Sequence, residues 1–215
     1  MLVKGQMTPD PICGHPEMSV IEAQALMQDN NIRHLPIVDD DKTLVGLITQ
    51  QLLLGTVPSD VSRFSPFVIK YIGAKLKVRS VMVKNVITID ENTAIEEAAR
   101  VMADKKIGCL PVVRGDELTG IISDNDLFSI MVGLLGARRA GVRVTIQQPD
   151  RVGEVARVSK TIADAGGNLS VFVTYPTAAP DIWASVVKVT NIPRETLLEM
   201  LKKLPDISIQ DTRQV

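Results

Sequence analysis

An internal repeat constrains this chain more than any other feature. Met7-Thr-Pro-Asp-Pro-Ile12 lines up with Met82-Val-Lys-Asn-Val-Ile87. Ile32-Arg-His-Leu-Pro-Ile-Val38 lines up with Ile107-Gly-Cys-Leu-Pro-Val-Val113, and Gly46-Leu-Ile-Thr-Gln-Gln-Leu52 with Gly120-Ile-Ile-Ser-Asp-Asn-Asp126. The offset is 75 from Pro36 to Pro111 and 74 from Gly46 to Gly120, so one residue is lost between them. Two copies imply a pseudo-twofold pair, since a solenoid needs more units.

Each copy reads alike. An extended lead-in (Pro11 to Cys13; Val86 to Ile89) precedes an amphipathic helix, clearest at Ile95, Ala98, Ala99 and Met102. An apolar strand follows Leu-Pro. A polar turn (Asp39 to Lys42; Arg114 to Glu117), a second apolar strand and a closing helix complete the unit. Helix, hairpin and helix leave one sheet face bare, and two copies packed sheet to sheet would bury both. Ser123 ends the second strand of copy two and Asp126 follows three residues later, at a strand-to-helix corner. This pair can grip a polyol such as ribose, and it can equally be an ordinary helix start.

The doubled motif resembles the CBS domain, which occurs as a tandem pair (a Bateman module). The resemblance covers roughly residues 1–135 and implies adenine nucleotides bound in clefts between repeats. In one cleft, Ser123 and Asp126 would hold the ribose. Pro11, Ile12 and Cys13 would flank the adenine, Ile32 would pack on the base, Arg33 and His34 would face phosphate, and Pro36 would set the strand geometry. The twin cleft has Leu52 where the carboxylate should be, and Gly108 and Cys109 where Arg33 and His34 should be. It is therefore expected to lack both ribose acceptor and phosphate cations, leaving one competent site. The ligand would be AMP, ADP, ATP or S-adenosylmethionine, with no cofactor required.

Past Gly136-Ala-Arg-Arg139 the pattern changes. Strands are expected at 141–146, 168–174, 182–189 and 207–209, with helices at 154–165 and 193–204. This β-α-β-β-α-β order is that of a ferredoxin-like unit. The turn Pro149-Asp-Arg-Val-Gly153 and the Gly166-Gly-Asn168 stop resemble the ACT domain, a small effector-binding and dimerising module. The resemblance implies an amino-acid site at Asp150, Val152, Gly153, Asn168 and Leu169, or a dimerisation domain without ligand. Residues 182–188 carry apolar side chains on both faces, as if a partner subunit covered one of them. A CBS pair joined to an ACT domain is similar to the acetoin-utilisation protein B family.

The reading is thus an α+β chain in four parts: a first CBS repeat (1–62), a linker helix (63–77), a second repeat (78–135) and an ACT domain (139–215). The linker is either a connector or a helix that contacts a partner. A net charge of −1 provides no broad basic footprint, so nucleic acid is not an expected partner. Two cysteines make no disulfide framework, and no run of roughly 20 apolar residues spans a bilayer. No Ser/His/Asp set, metal-binding Cys or His spacing or phosphate loop is present, so neither an enzyme nor a metal protein is expected. A cytoplasmic homodimer that senses an adenosine ligand is the expectation, with a non-catalytic scaffold as its rival.

Overall fold

Repeat equivalence is visible in the backbone of the computed structural model, which describes residues 1–56 and 75–215. Two units are distinguished, Met1–Phe128 and Ser129–Val215. The 63–74 part of the expected linker helix and the boundary at residue 62 lie outside the described residues.

In the first unit, each repeat has the expected parts. Repeat one has β1 (Thr8–Pro9), α1 (Val20–Asp29), β2 (His34–Val38), β3 (Leu44–Thr49) and α2 (Gln50–Thr56). Repeat two has α3 (Val78–Val81), β4 (Ile89–Asp90), α4 (Ile95–Lys105), β5 (Cys109–Arg114) and β6 (Glu117–Ser123), and closes with α5 (Asp124–Leu134), which begins in the first unit and ends in the second. Ser19 caps α1 in a reciprocal capping box with Glu22. Its equivalent Ala94 cannot cap α4, and Glu97 there pairs with Arg100 instead.

The two copies hold each other through exchanged segments. β1 of repeat one adds to β6 of repeat two, antiparallel, and Leu47 of β3 bridges to Val83. Val3 N–H donates to Thr93 O at 2.9 Å, and the equivalent Val78 N–H donates to Met18 O at 2.9 Å. Both valines are fully buried, each contributing roughly 1.5–3 kcal/mol. Gly46 and Gly120 are required by close approach: a Cβ on Gly46 would overlap Met82 Sδ, and one on Gly120 would overlap Met7 Sδ. The lead-ins differ from the expectation in one respect. Pro11 to Cys13 make no strand pairing, and the bridge to β2 falls on Gly14, opposite Ile37. In β2 and β5 consecutive residues are buried (Leu35, Pro36, Ile37; Cys109, Leu110, Pro111, Val112), so both faces of these strands are covered.

The second unit contains β7 (Val142–Pro149), α6 (Glu154–Asp164), β8 (Asn168–Pro176), β9 (Ile182–Thr190), α7 (Arg194–Lys203) and β10 (Ser208–Gln214). The sheet order β10-β7-β9-β8, antiparallel throughout, is the split βαβ arrangement of a ferredoxin-like unit. Val142, Val144, Ile146, Val187 and Val189 meet Val158, Ile162, Leu197 and Leu201 of the helices in one core. β10 extends well beyond the expected 207–209. Its polar residues carry no apolar signal, and backbone pairing to β7 plus an Arg143–Asp211 ion pair at 3.0 Å hold it. The opposite sheet face, which the pattern of residues 182–188 suggested a partner would cover, is covered in part by the chain itself. Gly136, at φ +59°, lies over Val171, and its carbonyl accepts from the buried Lys188 ammonium at 2.7 Å.

Gly120→Ala is expected to lower stability by about 1–3 kcal/mol through overpacking against Met7. Adding Met7→Ala to that variant should recover part of the loss in thermal unfolding. A Gly120→Ala protein as stable as the parent would contradict this contact.

Candidate functional site

The strand-to-helix corner at Ser123 is built as a helix start. Ser123 donates through both N–H and Oγ–H to Asp126 Oδ2, each at 2.7 Å, and Asp126 N–H donates back to Ser123 Oγ at 3.4 Å. The bonds fix the carboxylate on Oδ2 and leave Oδ1 without a partner among the described residues. Both side chains also line a cleft of about 350 Å³.

Across that cleft stand Pro11, Ile12, Ile32, Arg33 and His34, so it gathers seven of the nine candidate residues. Cys13 and Pro36 are not on its wall. Cys13 Sγ donates to Pro11 O at 3.1 Å, and burial pushes its thiol pKa up. Pro36 is buried within β2, where its carbonyl accepts from Gly14 N–H at 2.8 Å. Thr8, Asp10, Asn31, Ile121 and Asn125 complete the wall. Asp10 and Asn31 hold left-handed backbone (φ +43° and +51°), a conformation these residue types tolerate. The repeat offset could have found them, because their equivalents Asn85 and Lys106 line the twin cleft.

The twin cleft is the larger, at about 530 Å³. Thr49 Oγ1 accepts from Leu52 N–H at 3.1 Å, a cap with no carboxylate to answer it, and Leu52 packs on the core of repeat one. The expected absence of cations there is corrected by the structure. Lys106 lines it, and Arg33 and His34 border it as well as the first cleft. The reason is the missing side chain at Gly108, where a Cβ would already stand 3.3 Å from His34 Nε2 and 3.4 Å from Asp124 Oδ2. Arg33 Nη2 pairs with Asp124 Oδ1 at 2.7 Å, linking the two repeats. Burial, and Arg33 beside it, push His34 below its usual value near 6.5, against a smaller opposing pull from Asp124. His34 is therefore a neutral imidazole at pH 7. Burial and Asp124 push the Cys109 thiol up to about 12, leaving it an inert packed residue.

In the second unit the five candidate effector residues do not converge within one chain. Asp150, Val152 and Gly153 follow the end of β7 that pairs with Ile182. Asn168 and Leu169 pair with Thr190 and Val189, at the other end of β9. Eight residue steps at roughly 3.3 Å each separate Ile182 from Thr190, or about 26 Å. At the start of α6, Glu154 is itself buried and bonded by Arg151 at 2.6 Å and by Arg157. Arg151 continues to Asp206 at 2.8 Å. That helix start thus already carries a carboxylate of its own. No group of three His, Cys, Asp or Glu side chains among the described residues could hold a metal, and no helix among them is long and apolar enough to cross a membrane.

Comparison with known proteins bears on the first unit. The CBS domain family matches residues 3–58 and 78–133. Among curated proteins, an uncharacterized protein of Methanocaldococcus jannaschii is 34% identical over 133 residues, 60% of this chain and 31% of that protein. Inosine-5'-monophosphate dehydrogenase of Staphylococcus aureus is 34% identical over 118 residues, 54% of this chain and 21% of that enzyme. The match thus spans less than a third of these relatives. Among solved structures, a putative acetoin utilization protein (AcuB) from Vibrio cholerae is 33% identical with a TM-score of 0.53, covering 64% of this chain and 95% of its own. The CBS domain pair of protein MJ0100, in complex with 5'-methylthioadenosine and S-adenosyl-L-methionine, is 29% identical (TM-score 0.53; 62% and 97% covered). CBSX2 in complex with AMP is 28% identical (TM-score 0.50; 61% and 96% covered).

The lowered His34 pKa has a pH consequence. The unfolded chain takes up a proton at His34 near 6.5 while the fold resists it, so stability is full above that pH and declines as pH falls toward the lowered folded value. Denaturant unfolding between pH 7.5 and 5.5 should show this decline, and His34→Gln should make it shallower. An identical slope in both proteins would refute the assignment.

Proposed function

The chain belongs to the CBS-domain family, and from that premise we propose that it is a regulatory sensor that binds an adenosine ligand between its repeats. The observation that carries this reading is the cleft holding Ser123, Asp126, Pro11, Ile12 and Ile32 together, opposite a twin whose strand-to-helix corner has Leu52, packed into the core of repeat one, at the position of Asp126. Asp126 keeps Oδ2 on Ser123 and offers Oδ1 to a ribose hydroxyl, a charge-assisted bond of the strong kind. Ile32 and Ile12 provide apolar contact for a purine. Arg33 supplies the guanidinium for a phosphate, while neutral His34 contributes a hydrogen bond rather than charge. The bound AMP, methylthioadenosine and S-adenosylmethionine of the neighbouring structures support an adenosine ligand here.

The finer parts of the reading follow from the same premise. The β-α-β-β-α-β unit is assigned as an ACT-type module that mediates a homodimer and passes the ligand signal on, in the cytoplasm and without catalysis. If it binds an amino acid, the register above requires a second subunit to bring an Asn168 end to an Asp150 end. Similarity to the Vibrio cholerae protein supports a role in acetoin or central carbon metabolism.

A rival reading, a dimeric scaffold with a degenerate cleft, draws on the fact that Ser123 and Asp126 already satisfy each other as a cap. Thermal-shift titration with AMP and S-adenosylmethionine separates the two, because a ligand at 100 times its Kd adds about 2.7 kcal/mol. The sensor reading expects a shift that Asp126→Ala weakens by roughly 10- to 100-fold in affinity. No shift with either compound would favour the scaffold.

A further inference from the structure

We propose that Asp124 sets the charge preference of the clefts by parking the one cation they share, Arg33, between them. The inference rests on the sensing reading above. Arg33 lines both clefts, whereas Asp124 lines the second alone. The fixed charges of the first cleft are the carboxylates of Asp10 and Asp126 and the guanidinium of Arg33. With Arg33 held on Asp124 at 2.7 Å, the only guanidinium that the described residues put on that wall is already committed to a carboxylate. The parked state therefore suits an adenosine ligand with a neutral or cationic tail.

A phosphate in the first cleft must draw Arg33 away from Asp124. The Asp124 carboxylate is then left without its ion-pair partner on the wall of the second cleft, where it repels an anion and, among the described residues, Lys106 alone answers it. An anionic ligand in one cleft thus disfavours an anion in the other. The competition exists because repeat two carries Gly108 where repeat one carries Arg33, so the described residues supply one guanidinium for two clefts. Both partners are substantially exposed, at 48% and 39%, so the pair is a light latch. Such exposed pairs correspond to about a two- to fivefold change in affinity.

The test is calorimetric titration of the full chain with AMP and with adenosine, read as the ratio of their affinities. Asp124→Asn, which keeps an oxygen acceptor for Asn125 N–H, should raise the AMP preference about two- to fivefold. Asp124→Ser is the second variant if the first folds poorly. In an Arg33→Gln background the same change should leave the ratio where Arg33→Gln put it, closing a double-mutant cycle on the guanidinium. A ratio unmoved by Asp124→Asn overturns the inference, as does an equal rise without Arg33, which would be general charge repulsion. In both cases native binding of AMP and adenosine leaves the sensing reading standing. Failure of every variant and the native protein to bind either compound overturns both.

Discussion

The structure of the first unit depends on a reciprocal exchange in which each repeat lends its leading segment to seal the other. β1 pairs with β6, Val83 with Leu47, Met7 fills the space over Gly120, and Met82 fills the space over Gly46. Each repeat alone would leave a sheet face and a strand edge uncovered, which a helix–hairpin–helix unit of this size cannot afford. The bridge from Thr43 to Glu117 joins two equivalent positions to each other, as expected where a pseudo-twofold axis passes. The clefts are a by-product of this exchange. Each forms where the lead-in of one repeat runs past the strand-to-helix corner of the other.

Symmetry of backbone then meets asymmetry of side chain. The same corner puts Ser123 and Asp126 on the wall of one cleft but only Thr49 on the wall of the other, where Leu52 turns into the core, and both hydroxyls cap their helices. Only one corner keeps a carboxylate facing its cleft. The asymmetry is less complete than the motif comparison implies, because a residue near the axis serves both sides. Arg33 and His34 border both clefts, and Gly108 makes the room for it.

The second unit shows how differently a polar sequence can be stabilised. Lys188 is buried on the sheet face away from the helices, yet its ammonium is answered by the Gly136 carbonyl. Gly136 N–H and Ala137 N–H return to Gly133 and Val132 carbonyls, the pattern of a helix ended by a left-handed glycine. Arg151, Glu154, Arg157 and Asp206 tie the turn before α6 to the turn before β10. Apart from the i,i+3 pairs of Glu154 with Arg151 and Arg157, these side-chain contacts span 52 and 55 residues and have no periodic signature.

The sequence alone determined the duplication and the order of elements in both units, because apolar periodicity and Leu-Pro strands are local signals that recur at offsets of 75 and 74, whereas the seven residues of one cleft wall came from the resemblance to the CBS family. It could not determine what lies between repeats. Cys13 and Pro36 sit beside wall residues in the chain, yet Cys13 bonds to the Pro11 carbonyl and Pro36 is buried in β2, and Asp124 lies inside the repeated motif with nothing there to tell which cleft it faces. Nor could it place Asn168 at the far end of the sheet from Asp150, since strand register is set by long-range backbone pairing. Which charges share a cleft was decided only when the two copies folded onto each other.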